Sequence, residues 1–245
     1  MQTNAELILA LDTAQEDCAI AVMRGSDCLG ERVLKVGSRH SEHVLAMIRD
    51  LLADLKIDRH DLNLIAFGAG PGSFTGLRVA CGVAQGLAWA LGQMTAPVSS
   101  LEAQAEWVRE EKQLPAGTVI AVLNDARMHE CYGGVWRVPG DEGRLECLQV
   151  PQTVAPAKAK EFMAAHSATV LVGSAALVYA EEMALPAELD SIATADSHPA
   201  AIGRIAAAMA TAHETVTPEL AAPIYVRDRV ALTMAERAAG QKLQE

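Results

Sequence analysis

Aromatic side chains are scarce in this sequence, 4% of 245 residues, while 51% of residues are hydrophobic. A core with so few rings must be filled by Ala, Val, Leu and Ile, the composition of an α/β protein. Positive charge is also short: 20 Lys and Arg face 31 Asp and Glu, a net charge of -11. An acidic surface repels a polyanion, so binding nucleic acid unaided is disfavoured, and service to an RNA would need another subunit to hold it. The five cysteines, Cys18, Cys28, Cys81, Cys131 and Cys147, are odd in number and never spaced as C-x-x-C. That argues against a zinc knuckle or a disulfide framework and fits a reducing compartment. No apolar run approaches the roughly 18 residues of a membrane span. The opening MQTNAELILALDTA lacks a basic region ahead of its apolar run, unlike a signal peptide. A cytoplasmic protein without a membrane association is expected.

Several catalytic signatures are missing as well. There is no GK[ST] ending to make a Walker loop, no dinucleotide fingerprint in spacing, and no G-x-S-x-G elbow. Hydrolysis therefore has no visible machinery in the sequence.

What is present is a strong alternation of periods. Runs at 7–11, 18–23 and 28–36 read as strands joined by short polar and glycine turns. Over 41–55 the apolar residues Val44, Leu45, Ile48, Leu51, Leu52 and Leu55 share one helical face, with Ser38 or Ser41 as a candidate cap. A strand ending at Phe67, a glycine loop, a helix from about 74 to 91, a strand at 95–98 and a Ser99-capped helix follow. From Leu114 a second unit partly echoes the first: strands at 118–123, 132–138 and 145–150, a helix at 156–165, a strand at 170–173 and an alanine-rich helix at 199–212. The expectation is α/β, two sheets flanked by helices, divided as 1–113 and a smaller 114–245 whose tail packs back across the molecule.

Four features invite a chemical reading. The loop GAGPGSFTGLR (68–78) places Gly68, Gly70, Gly72 and Gly76 where positive φ and close backbone approach are available, with Ser73, Thr75 and Arg78 threaded between. Such a turn at a helix start can hold an anion, or can simply connect strand to helix tightly. Asp12 ends the first strand, where it can sit near a nucleotide or close an Asx turn. His40 and His43, at i and i+3, lack a third ligand at a convincing spacing, so a surface or interface role is favoured over a metal. Finally, Gly82, Gly86 and Ala90 recur every four residues beside Val79 and Val83, stripping one helix face of bulk. Two mid-helix glycines cost about 1 kcal/mol each against alanine, and either the sheet or a partner helix must offset that.

Taken together, ILALDTA, SRHSEHVLAMI, FGAGPGSFTGLRVACGVAQGLA, LNDARMHECYGGVW and the closing PIYVRDRVALTMAER resemble the TsaB (YeaZ) family nearly end to end. The resemblance implies a two-lobed actin/Hsp70-like (ASKHA) duplication, each lobe a mixed sheet flanked by helices. It implies a non-catalytic subunit in the formation of N6-threonylcarbamoyladenosine at position 37 of ANN-decoding tRNAs. The implied partners are the metal-bearing paralogue TsaD, the ATPase TsaE in an ATP-dependent ternary complex, and a second copy when alone; tRNA is met only through the complex. It further implies contact with TsaD through the first two helices, here His40, His43 and Met47 together with Val79, Gly82, Val83, Gly86 and Ala90. No cofactor or metal of its own is implied, with ATP or ADP near the subunit junction. The sequence lacks the H-x-x-x-H pair of TsaD-like relatives, and Val172-Gly173-Ser174-Ala175 lacks their G-x-G. The glycine loop then reads as architecture. A stand-alone ATPase or peptidase of the same superfamily is the competing reading.

Overall fold

Strand alternation and helix periodicity sort the apolar residues into four packed layers. In the computed structural model, which describes residues 6–227 except 142 and 187, the first unit contains β1 (Leu7–Asp12), β2 (Asp17–Arg24), β3 (Asp27–Lys35), α1 (His40–Leu55), β4 (Leu64–Gly70), α2 (Phe74–Leu91), β5 (Met94–Ser99) and α3 (Ser100–Glu111). The second contains β6 (Val119–Asp125), β7 (Cys131–Arg137), β8 (Glu146–Val154), α4 (Ala159–Ala165), β9 (Val170–Val172), α5 (Ala175–Val178), α6 (Ala180–Met183), β10 (Asp190–Ile192) and α7 (Pro199–Thr211).

The sheets run β3-β2-β1-β4-β5 and β8-β7-β6-β9-β10. In each, the first three strands are antiparallel neighbours and the last two join in parallel. The echo in the sequence is thus a duplication of topology, including the short β10, which the hydrophobic pattern did not signal. The tail beyond residue 227, with most of the closing VRDRVALTMAER, lies outside the described residues.

Odd and even positions of a strand face opposite ways. In β1, Leu9 and Leu11 pack with Val44, Ile48 and Leu51 of α1 and Ala80, Ala84 and Ala88 of α2. Ile8 and Ala10 face the other way, onto Ala201, Ile202 and Ile205 of α7. The second sheet is covered by α4 and the short helices through Phe162, Met163, Ala175 and Met183. Its inner face carries Ile120 and Val122 against Leu101, Ala105 and Val108 of α3. The helices are therefore exchanged: α3, from the first half, covers the second sheet, and α7, from the second half, covers the first. A division at 113/114 separates the sheets but not these helices.

Buried charge crosses the same junction. Glu102 of α3 accepts two bonds from Arg144, at 2.5 and 2.8 Å, and Arg144 also donates to Glu214 at 2.7 Å. Glu106 pairs with Arg109 at 2.8 Å and lies 3.6 Å from Arg204 of α7; burial lifts its carboxyl above the usual range. Asn124 of β6 donates to Gln104 at 2.8 Å and accepts from the Ser174 amide at 2.9 Å. The caps are mixed. Ser99 caps α3 as the sequence predicts, accepting from Glu102 N, whereas α1 starts at Arg39 with no side-chain cap from Ser38 or Ser41.

Removing one partner of a largely buried ion pair leaves the other charge uncompensated. Glu102→Ala is expected to lower unfolding free energy by about 3 kcal/mol, measured by urea titration of the whole chain.

Candidate functional site

The glycine loop closes onto the turn between β1 and β2, backbone against backbone. The Ser73 amide donates to the Ala14 carbonyl at 2.8 Å, and the Thr13 hydroxyl donates to the Gly76 carbonyl at 2.7 Å. A Cβ at Gly76 would overlap the Thr13 carbonyl oxygen, and one at Gly72 would lie 2.7 Å from the Ala14 carbonyl. Among the four loop glycines only Gly70 has positive φ, +116°. Positive φ is thus not what Gly72 and Gly76 provide; they provide contact without a side chain. At the start of α2 the Gly76 amide bonds the Ser73 hydroxyl, and the Leu77 amide makes the first intrahelical bond to the Ser73 carbonyl.

The polar residues of the loop separate. Arg78 lies over the Phe74 ring, 3.8 Å from its centroid, and its Nε donates to the Tyr225 hydroxyl at 3.2 Å. Ser73 and Thr75 face a cavity of about 600 Å³ between the lobes, lined also by Asp17, Lys35, His40, Arg127 and Ser174. Asp12 does not line it. It is buried beneath the turn, where its Oδ1 accepts from the Ala14 amide at 2.8 Å, the Asx turn of the local reading. Burial pushes its carboxyl from 3.8 up to about 6, against the pull of that amide.

The expected partner face divides in the same way. His40 is buried at the edge of the cavity, its Nε2 3.0 Å from the Gln15 carbonyl oxygen, and Met47 is part of the core. Those two residues are corrected out of the exposed face, because both fall on the buried stripe of α1 with Val44, Ile48 and Leu51. His43, Val79 and Val83 are half-buried, while Gly82, Gly86 and Ala90 are exposed. Among the described residues, a Cβ at Gly82 or Gly86 would meet nothing within 4 Å. Packing among the described residues therefore does not explain these glycines. On the same face of α2 stands a residue that the sequence pattern did not single out, Trp89, 67% exposed, and on α1 Leu45, expected on the apolar face, is instead 56% exposed. Trp89 was legible as an outlier, one large ring on a face otherwise stripped to glycine and alanine.

The duplicated mixed sheets define a two-lobed α/β protein of the actin-like class, and the comparisons agree with the motifs. A family model described as "TsaD: tRNA N6-adenosine threonylcarbamoyltransferase" matches residues 35–233. The tRNA threonylcarbamoyladenosine biosynthesis protein TsaB of Escherichia coli is 31% identical over 244 residues, covering 91% of this chain and 96% of that protein. The Haemophilus influenzae protein of the same name is 40% identical over 127 residues, 51% of each chain. Among solved structures, YeaZ from Pseudomonas aeruginosa superposes with a TM-score of 0.79 at 30% identity, covering 90% of this chain and 99% of that one. A second structure from that organism, with the same TM-score and identity, is described as similar to peptidase YEAZ. The chain belongs to the TsaB (YeaZ) family of this group.

Two expected outcomes separate the kinds of glycine. Gly82→Ala and Gly86→Ala should each raise stability by up to about 1 kcal/mol, because helix propensity improves and the space is open. Gly76→Ala should instead unfold the chain or lower its melting temperature steeply; thermal denaturation of the three variants distinguishes these results. For Asp12, a folded pKa above the unfolded value means stability held below pH 3.8 and lost as pH rises through about 6. Asp12→Asn should then be more stable than the parent by about 3 kcal/mol near pH 8 and nearly equal to it near pH 3.5, read by urea titration at both.

Proposed function

We propose that the chain is a non-catalytic partner subunit in the cytoplasmic machinery that forms N6-threonylcarbamoyladenosine at position 37 of ANN-decoding tRNAs. It docks TsaD through the exposed face of α2 and the neighbouring flank of α1, centred on Gly82, Gly86, Ala90, Trp89 and Leu45 with Val79, Val83 and His43 at the margin. TsaE joins in an ATP-dependent complex, ATP or ADP lies near the subunit junction, and tRNA is met only through the assembly. Without TsaD, a second copy covers the same face. The chain carries no cofactor or metal of its own.

One observation supports this reading above the others. Two glycines lie mid-helix, exposed, with open space among the described residues where their side chains would be, so a helix-propensity cost of about 2 kcal/mol for the pair is not recovered by the packing of those residues. A second helix approaching to about 8 Å, the near end of the usual packing range, recovers it, because small residues at the contact let the axes come that close. An exposed tryptophan beside such a groove is a suitable anchor, since hot spots favour that residue.

Gly86→Glu tests the reading cleanly, because the space at Gly86 lets the monomer keep its fold. Co-purification with TsaD and tRNA modification are expected to fail together, as an unpaired charge in a helix contact costs several kcal/mol. A tight TsaD complex with this variant would place the interface elsewhere. The stand-alone enzyme reading has the opposite signature: the purified chain would hydrolyse ATP or peptides above background, and Gly86→Glu would leave that turnover intact.

A further inference from the structure

After α7 the chain does not leave the molecule; it runs back along α2 and crosses to the second lobe. Val216 bridges Thr95 of β5, with Thr95 N donating to the Val216 carbonyl at 2.8 Å. Gln85 of α2 donates through Nε2 to the carbonyls of Pro218 at 3.1 Å and Ala221 at 3.0 Å. The Ile224 amide donates to the Ala69 carbonyl at 2.7 Å, and a Cβ at Gly70 would lie 2.9 Å from the Ile224 carbonyl. Tyr225 accepts from Arg78, and Arg227 then reaches the other lobe. Its side chain is largely buried, pairs with Glu130, and donates to the Arg127 carbonyl at 3.4 Å.

The segment that Arg227 reaches is unusual. Arg127, Met128 and His129 are three successive non-glycine residues with φ of 61°, 54° and 58°. A left-handed residue with a side chain costs about 1 kcal/mol or more, and persists only where neighbours hold it. Here Asp125 accepts from the Arg127 amide at 2.9 Å and from the Tyr179 hydroxyl at 2.9 Å, and His129 lies 2.9 Å from Glu182. Among the described residues, Arg227 supplies a restraint from the returning chain, through Glu130 and the Arg127 carbonyl. The turn in question sets the lip of the interlobe cavity, where Arg127 is among the lining residues.

We propose that residues 216–227 form a strap that couples α2 to the left-handed turn at the cavity lip, with Arg227 as the residue that positions the turn. A change at the exposed face of α2 is then felt at Arg127–His129 across the cleft. The coupling rests on the path of the chain and not on the identity of a partner, so it stands or falls separately from the docking reading.

Hydrogen exchange on the full chain, followed by mass spectrometry, tests it. The amides of Ala126 and Glu130, bonded to the Glu130 and Arg127 carbonyls, report on the turn. Arg227→Ala is expected to speed their exchange about tenfold or more, with β1 and β6 unchanged. Gln85→Ala, which cuts the strap at its α2 end, is expected to speed the same turn amides as well as those of 216–222. Arg227→Glu combined with Glu130→Arg should restore protection that Arg227→Glu alone removes. If Gln85→Ala loosens only the strap, or Arg227→Ala leaves the turn protected, the coupling is absent.

Discussion

The contact between the Thr13 carbonyl and the start of α2 is the constraint on which the remaining site geometry depends. A helix can begin this close to a neighbouring turn only if its first turn has no side chain at the touching point, and Gly76 meets that demand. Once seated, α2 has its buried face fixed against β1 and β4 by Leu77, Ala80, Ala84 and Ala88, and its opposite face is turned outward with no freedom to rotate. The same seating aligns Ala69 and Gly70 for the returning strap. Loop, helix face and strap are therefore one assembly with a single anchor.

The glycines of α2 and its loop illustrate two different physical reasons for the same residue. At Gly72 and Gly76 a side chain would strike backbone, so the requirement is internal to the chain. At Gly82 and Gly86 a side chain would strike none of the described residues, which is what the proposed docking face requires. The buried ion pairs between α3, Arg144 and α7 add a third element: they hold the exchanged helices, and with them the two sheets, in one arrangement. A rigid body with one unfinished helix face suits a subunit whose work is to present that face.

Much of this was legible in the sequence where a local rule decides. The short apolar runs at 7–11 and 18–23 with their turn breaks, the leucine face of 41–55 and the serine cap at Ser99 all specify structure within a few residues. The exchange of α3 and α7 was not legible, because an apolar helix face specifies that a sheet covers it but not which of the two sheets does. His40 was legible but misread: four residues before Val44 and eleven before Leu51, it falls on the buried stripe of α1, where its ring nitrogen lies 3.0 Å from the Gln15 carbonyl oxygen of the β1–β2 turn. The glycine loop was legible as architecture, though for close approach and not for positive φ. The left-handed turn at 127–129 carries no glycine or asparagine signal, so nothing in composition announces it.

The central claim is that the Gly82–Gly86–Trp89 face of α2 is covered by TsaD in the working assembly. Hydroxyl-radical footprinting of the chain alone and in complex with TsaD measures this directly, with Trp89 as the most reactive exposed reporter on that face. The account predicts strong protection of Trp89 and Leu45 on complex formation, with Val150 of β8, equally open in the free chain, unchanged. A stable complex in which Trp89 is oxidised as fast as in the free chain would contradict it.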